Sequence, residues 1–357
     1  MVWIGAALMF SFIRLYGVEE EAVFELHISY RNVLMRILLQ GLFTGTAFGL
    51  AFGLLDILLD KKILRETAYG LVILIRTLAH IILTLVIILH SILITHLLFD
   101  GGLDETFVEL LRESMLSKTA IVLLVYTGVV SILFNLIRQI NAMFGPGILY
   151  NIISGKYHHP KEESRIFMFL DLKSSTTYAE RLGHILYSEL IQDCFYDLTD
   201  TIHKHNVEVY QYVGDEAVLT WKVEEGLKNA NCLRAFFSFE KSIQRRADYY
   251  FNKYDLVPAF KAGVNIGLVM VAEVGVIKKE IAYHSDVLNT AARIQGCCNL
   301  YGKYLLISEF LHHHIGNHPD FLFEEIGKVQ LKGKQQEVII FSVDQKSIIE
   351  HAYEFSE

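Results

Sequence analysis

The stretch Ile166-Phe167-Met168-Phe169-Leu170-Asp171-Leu172-Lys173-Ser174-Ser175-Thr176-Thr177 runs five apolar residues into an acid and then into a series of hydroxyls. A continuous apolar run of this length reads as a strand buried on both faces. Asp171 stands at its end. The Ser and Thr residues that follow can cap a helix entered near Tyr178 and leave backbone N–H groups facing outward, a natural cradle for phosphate. A lone Asp in this place would do no more than support the cap. Downstream, Glu208 to Val213 and Glu216 to Trp221 read as two strands joined by the turn pair Gly214-Asp215. With that hairpin beside the first strand, Asp171 and Asp215 converge at one end of a sheet. Paired carboxylates next to a phosphate cradle suit Mg²⁺–triphosphate chemistry, because hard cations take oxygen ligands.

Further on, a helix is predicted from Gly226 to about Lys253. A strand over Phe260–Val271 is predicted to break at Gly263 and Gly267. A helix beginning near Asp286 carries Val287, Ala291, Ile294 and Cys298 as its buried stripe. Asn289 and Arg293 are four apart on another face of that helix. An amide and a guanidinium one turn apart can hold a sugar oxygen and a phosphoryl oxygen, although a solvated polar face has the same spacing. Strands alternating with helices over this half indicate an α+β domain.

The first 140 residues are of another kind. Of 357 residues 52% are hydrophobic and only 20% charged, and the excess lies here. Helical spans are predicted at about 2–16, 37–59, 71–99 and 119–138, the first of them short. The second contains the single charge Asp56, the third only Arg76, and the stretch Thr119–Ile137 of the fourth none; a crossing needs roughly 20 apolar residues. Lys61, Lys62 and Arg65 follow the second span, acids dominate 100–113, and Arg138 and Lys156 follow the last. The positive-inside rule then places everything after 138 in the cytoplasm. His80, His90 and His96 share one span; haem ligation and helix–helix hydrogen bonding are both open to them. Residues 141–163 read as a connector, 164–345 as the folded domain and 346–357 as a tail. A net charge of −8 argues against a nucleic-acid binder. Four cysteines without ligand spacing read as reduced thiols.

Phe169-Leu170-Asp171-Leu172-Lys173-Ser174-Ser175-Thr176, Val213-Gly214-Asp215-Glu216-Ala217, Asp286-Val287-Leu288-Asn289-Thr290-Ala291-Ala292-Arg293 and Leu331-Lys332-Gly333-Lys334 occur in an order that resembles the catalytic domain of class III nucleotidyl cyclases, the adenylate and guanylate cyclase family. The resemblance implies a ferredoxin-like βαββαβ catalytic domain, and the apolar runs put before it an all-α transmembrane anchor of three to four helices, in an integral protein of the inner or plasma membrane with its catalytic domain cytoplasmic. It implies a homodimer whose sites are shared across the interface. Asp171, Asp215 and the backbone carbonyl of Leu172 would hold two Mg²⁺ or Mn²⁺ ions per site. Asn289 and Arg293 would come from the other protomer, to orient the ribose and to stabilise charge on the α-phosphate. Lys332 would contact the terminal phosphates, with Ser174, Ser175 and Thr176 at the phosphate cradle. The base-reading positions depart from the pattern: Gln211 stands where adenylate cyclases usually have Lys and guanylate cyclases Glu, and Ala282 where adenylate cyclases usually have Asp or Thr. ATP is the first expectation, with GTP or mixed use as the alternative. A diguanylate cyclase would need a Gly-Gly pair where Tyr212-Val213 precedes Gly214-Asp215. A non-catalytic membrane receptor with a nucleotide-binding domain is the rival of another class. A transporter is disfavoured by the lack of an inverted repeat.

Overall fold

The computed structural model describes residues 2–17, 30–59, 67–99, 108, 111–113, 115–145, 147–330 and 337–346. The chain divides into two compact units, Met1–Phe144 and Gly145–Glu357.

The first unit is helical: α1 (Val2–Gly17), α2 (Tyr30–Leu59), α3 (Tyr69–Phe99) and α4 (Lys118–Phe144). Among the described residues two segments, Tyr69–His90 and Ala120–Met143, are long and apolar enough to cross a membrane; the apolar stretch Gly45–Leu59 is shorter. Gly45 brings α1 and α2 together, since a Cβ there would meet Ile4 Cα and Ala7 Cβ at 2.8 Å. Charge and polarity are gathered inside. Asp56 lies 3.1 Å from Arg138, 3.7 Å from His80 and 3.8 Å from Arg76. The Nδ1 of His80 is 2.7 Å from Ser131 Oγ, the helix–helix hydrogen bonding open to it from the sequence. His90 is exposed, and the His96 side chain lies outside the described set. The basic loop at 60–66 and most of the acidic loop at 100–113, which carry the orientation expectation, also lie outside the described residues.

The second unit begins with a short helix α5 (Ile148–Ile153) and is built on an eight-stranded sheet. Its elements are β1 (Lys161–Leu172), α6 (Ser175–Lys204), β2 (Glu208–Val213), β3 (Glu216–Lys222), α7 (Val223–Leu227), α8 (Asn231–Arg245), α9 (Ala247–Tyr254), β4 (Phe260–Val274), β5 (Glu280–His284), α10 (Asp286–Tyr301), β6 (Leu305–Ser308), α11 (Glu309–Ile315), β7 (Phe321–Val329) and β8 (Val338–Gln345). The sheet order is β2-β3-β1-β4-β6-β8-β7, with β5 paired to β4. Antiparallel β2-β3-β1-β4 with intervening helices is the ferredoxin-like arrangement expected. Because side chains alternate along a strand, Ile166, Met168, Leu170 and Leu172 enter the main core with Leu190, Leu233, Phe236 and Phe239, while Phe167 enters a second cluster with Val218, Val269, Val271 and Ala291. Both faces of β1 are thus covered, as its apolar run requires.

Three expectations are corrected. The helix drawn from Gly226 to Lys253 is several pieces: Asn229 and Ala230 take positive φ, and Arg246 interrupts again. Its apolar periodicity continues across these breaks because every piece packs on the same core. The strand from Phe260 does not break at Gly263 or Gly267. It runs on to Val274, and the glycines leave room for α10: a Cβ on Gly263 would lie 2.2 Å from Gln295 N, and one on Gly267 2.5 Å from Val287 Cγ2. Third, Ser174 stands at the N-terminus of α6 without a side-chain capping bond, at φ 60°. The connector placed at 141–163 has regular elements at both ends, for α4 continues to Phe144 and Lys161 already pairs with Val271. Within it Tyr157 is buried, its hydroxyl donates to Glu163 at 2.6 Å, and its carbonyl accepts from Glu273 N. Residues 347–357 of the tail lie outside the described residues.

Candidate active site

Register brings the acids together. Across β1, Asp171 is opposite Glu216 of β3 on one side and Lys261 of β4 on the other. Asp215 is the residue before Glu216, in a turn whose Gly214 takes φ 61°, a conformation glycine adopts without strain. The two predicted acids therefore stand one residue out of register at the end of adjacent strands. Their charges act on each other: burial pushes the Asp171 carboxyl above its ordinary value, Lys261 opposes this, and Asp215 adds to it. Glu216 is pushed up to about 7, first by burial and then by Asp171 and Asp215. A cluster of this kind favours a bound cation, which lowers the cost of holding the acids ionised.

Two donors hold Asp171. Lys261 Nζ is 3.2 Å from its Oδ2, and Gln295 Nε2 donates to the same oxygen at 2.8 Å. Tyr187 approaches from α6, which kinks at Gly183 (φ 73°). Its hydroxyl is shifted upward by burial and by Asp215, against a hydrogen bond with Ser175. Ser174 and Thr176 are exposed at the start of α6, and Ser175 is half-buried. The side chain of Leu172 is buried, so only its backbone is available to a ligand.

Among the described residues no three His, Cys, Asp or Glu side chains form a metal cage. Mg²⁺ is held by one or two carboxylates and completes its shell with water and substrate phosphates. Asp171, Asp215 and the Leu172 carbonyl are hard oxygen donors of this sort and could hold such an ion.

Asn289 is exposed and Arg293 half-exposed on α10, whose other side is packed down on β4 through Ala291 and Gln295, with Ile294 clustered with Leu306 of β6 and Ile340 of β8. Among the described residues neither Asn289 nor Arg293 has a hydrogen-bonding or ionic partner in the chain. Gln211 is exposed on β2 beside a register shift, and Ala282 pairs with Ala272 in the β4–β5 hairpin. The neighbours of these two positions meet: the Tyr210 and Tyr283 rings are 5.0 Å apart, both edge-on to Phe167. Lys332 lies outside the described residues.

Sequence reasoning missed Lys261, Gln295, Glu216 and Tyr187. The first three follow from register or helix spacing once β1 is centred between β3 and β4. Tyr187 depends on the kink at Gly183, which no residue pattern announces.

The profile of the adenylate and guanylate cyclase catalytic domain matches residues 157–345, more than half of the chain. Adenylate cyclase 2 of Rhizobium meliloti (strain 1021) is 30% identical over 212 residues, which is 59% of this chain and 58% of that protein. The chain thus spans under three fifths of that relative's length. Among solved structures, two of a bacterial light-regulated adenylyl cyclase share the fold. One has a TM-score of 0.53 at 16% identity, covering 65% of this chain and 68% of that one. The other has 0.52 at 18%, covering 62% and 65%. Since the profile takes in every strand of the sheet, from the start of β1 to the end of β8, the chain belongs to the family of adenylate and guanylate cyclase catalytic domains.

Proposed function

We propose that the chain is a membrane-bound nucleotidyl cyclase that converts a nucleoside triphosphate, ATP first among them, to its 3′,5′-cyclic monophosphate and pyrophosphate. The observation that carries this reading is a division of labour. Asp171 and Asp215 converge at one end of the sheet, while Asn289 and Arg293 are presented on α10 without hydrogen-bonding or ionic partners among the described residues of their own chain. Each site is then completed by α10 of a second copy, and the working unit is a homodimer.

Asp171, Asp215 and the Leu172 carbonyl would hold the two divalent ions, Mg²⁺ or Mn²⁺, which would neutralise the triphosphate and make the 3′-hydroxyl easier to deprotonate. The start of α6, at Ser174, Ser175 and Thr176, offers backbone N–H groups to the phosphates. Lys332 adds a positive charge at the terminal phosphates. Asn289 orients the ribose so that its 3′-oxygen faces the α-phosphorus, and this fixed geometry supplies much of the acceleration. As the 3′-oxygen bonds to the α-phosphorus, the bond to the bridging β-phosphate oxygen breaks, pyrophosphate leaves, and the hydroxyl proton passes to solvent. Arg293 stabilises the charge that develops on the α-phosphoryl oxygens in that step.

Gln211 favours keeping a second reading of the base. An amide both donates and accepts, and Ala282 offers no side-chain hydrogen bond, so guanine is accommodated by the same pair. The helices of the first unit anchor the protein in the bilayer, with the catalytic unit on the cytoplasmic side and residues 141–163 as the coupling segment. The deciding experiment gives the purified full-length chain Mn²⁺ and each of the four nucleoside triphosphates separately, and identifies products by mass. A 3′,5′-cyclic nucleotide is expected from ATP. Absence of any cyclic product from all four leaves the non-catalytic receptor reading in its place.

A further inference from the structure

We propose that Gln295 is a positioning residue for Asp171, and that through it the helix carrying Asn289 and Arg293 is tied to the metal-binding carboxylate of its own chain. The inference rests on the shared-site reading above. Gln295 is two residues beyond Arg293 on α10 and is buried. Its Nε2 donates to Asp171 Oδ2 at 2.8 Å, and Lys261 Nζ lies 3.2 Å from that same oxygen. Both donors converge on one carboxylate oxygen, which leaves Oδ1 to meet an incoming cation. Asp171 needs such support because Asp215 and Glu216 crowd it with like charge.

The donor is also fixed in place. A Cβ on Gly263 would lie 2.2 Å from Gln295 N, 2.7 Å from Gln295 Cα and 2.4 Å from the Ala291 carbonyl oxygen. The backbone of α10 therefore rests directly on β4 at this residue, and Asn265 Nδ2 adds a hydrogen bond to the Val287 carbonyl one strand pair along. A group that orients a metal ligand in this way typically changes metal affinity 10–100-fold when removed. Because α10 serves the partner's site with Asn289 and Arg293 while Gln295 serves its own chain's Asp171, each α10 touches both sites of the dimer.

Two measurements on full-length chains test this. Titration with Mn²⁺, read by electron paramagnetic resonance in the presence of a non-cyclisable triphosphate analogue, is expected to show binding weakened about tenfold in Gln295→Met. Unchanged binding overturns the proposal. The second measurement mixes Asp171→Ala chains with Arg293→Ala chains, whose only complete site draws Asp171 from the latter and Arg293 from the former. Adding Gln295→Met to the Arg293→Ala chain is expected to lower the restored activity about tenfold; adding it to the Asp171→Ala chain is expected to leave it. Equal loss from both placements makes Gln295 a packing residue of α10 and overturns the proposal. Gln295→Ala substitutes where the methionine variant does not fold. If the unmodified mixture recovers nothing and the wild-type chain binds no Mn²⁺, the shared-site reading has failed and this inference with it. If the mixture recovers and placement is indifferent, only the inference falls.

Discussion

Glu240 shows how a single carboxylate couples the fold to pH. Burial in α8 pushes it up to about 7, and Asp344 adds to the shift. The folded state holds this proton more tightly than the unfolded chain, where Glu titrates near 4.3. Its contribution to stability is therefore fully present below that lower value and is lost as pH rises through about 7. Glu240→Gln is expected to stabilise the protein at pH 8 by on the order of 2 kcal/mol, and to change little at pH 4. Thermal melts at the two pH values check the sign; equal effects at both contradict it. Arg165 is the opposite case. Its buried guanidinium reaches Glu163 at 2.9 Å and Glu208 at 2.5 Å and lies against the Tyr283 ring, so β1, β2 and β5 are joined by one side chain. Replacing it with Met leaves Glu208 without its cation and Glu163 with Lys156 alone, and is expected to cost about 3 kcal/mol, measured by urea denaturation.

Strand and helix explain why some of the site was legible and some was not. Asp171 announced itself by ending an apolar run, and Asp215 by occupying a hairpin turn. Both signals are local, and the register of β1 with β3 confirms their meeting. Asn289 and Arg293 share a helical face by spacing alone. Lys261 gave no such sign, since a lysine at the start of a strand reads as a solvated edge until β4 is known to pair with β1. The two glycines of β4 were read as interruptions for the same reason: nothing in the local pattern shows that a helix will rest on them. Gly263→Ala puts a methyl group against the α10 backbone and is expected to destabilise the domain by about 2–3 kcal/mol. It also displaces α10, so cyclase activity is expected to fall more than stability requires at a temperature where the variant remains folded. An alanine variant with native stability and activity excludes that close approach.

For the molecule as a whole, the division into a helical unit and a sheet unit was plain from composition, because 140 residues poor in charge precede a half with alternating strands and helices. The number of membrane crossings was not, since the first apolar run is short and within α2 the apolar stretch Gly45–Leu59 is shorter than a crossing needs. The proposed anchor is expected to keep the full chain in the membrane pellet through an alkaline carbonate wash, and release by the wash contradicts it. A fragment beginning at Gly145 retains Tyr157, whereas one beginning at Lys161 loses it together with its bonds to Glu163 and Glu273. The longer fragment is therefore expected to be soluble and folded and the shorter one to melt lower.

If Arg293 serves only the partner's site, as proposed, the sharing has an arithmetic consequence. Suppose copies pair at random and a fraction of them carries Arg293→Ala. Every pocket still has its acids, and output falls in simple proportion to the spoiled fraction. Let the spoiled copies lose Asp171 as well, and each one silences both halves of any pair it joins, so output follows the square of the intact fraction. The doubly broken copy is thus a poison in a mixed population and the singly broken one merely a passenger, and the curvature of a dose series tells them apart.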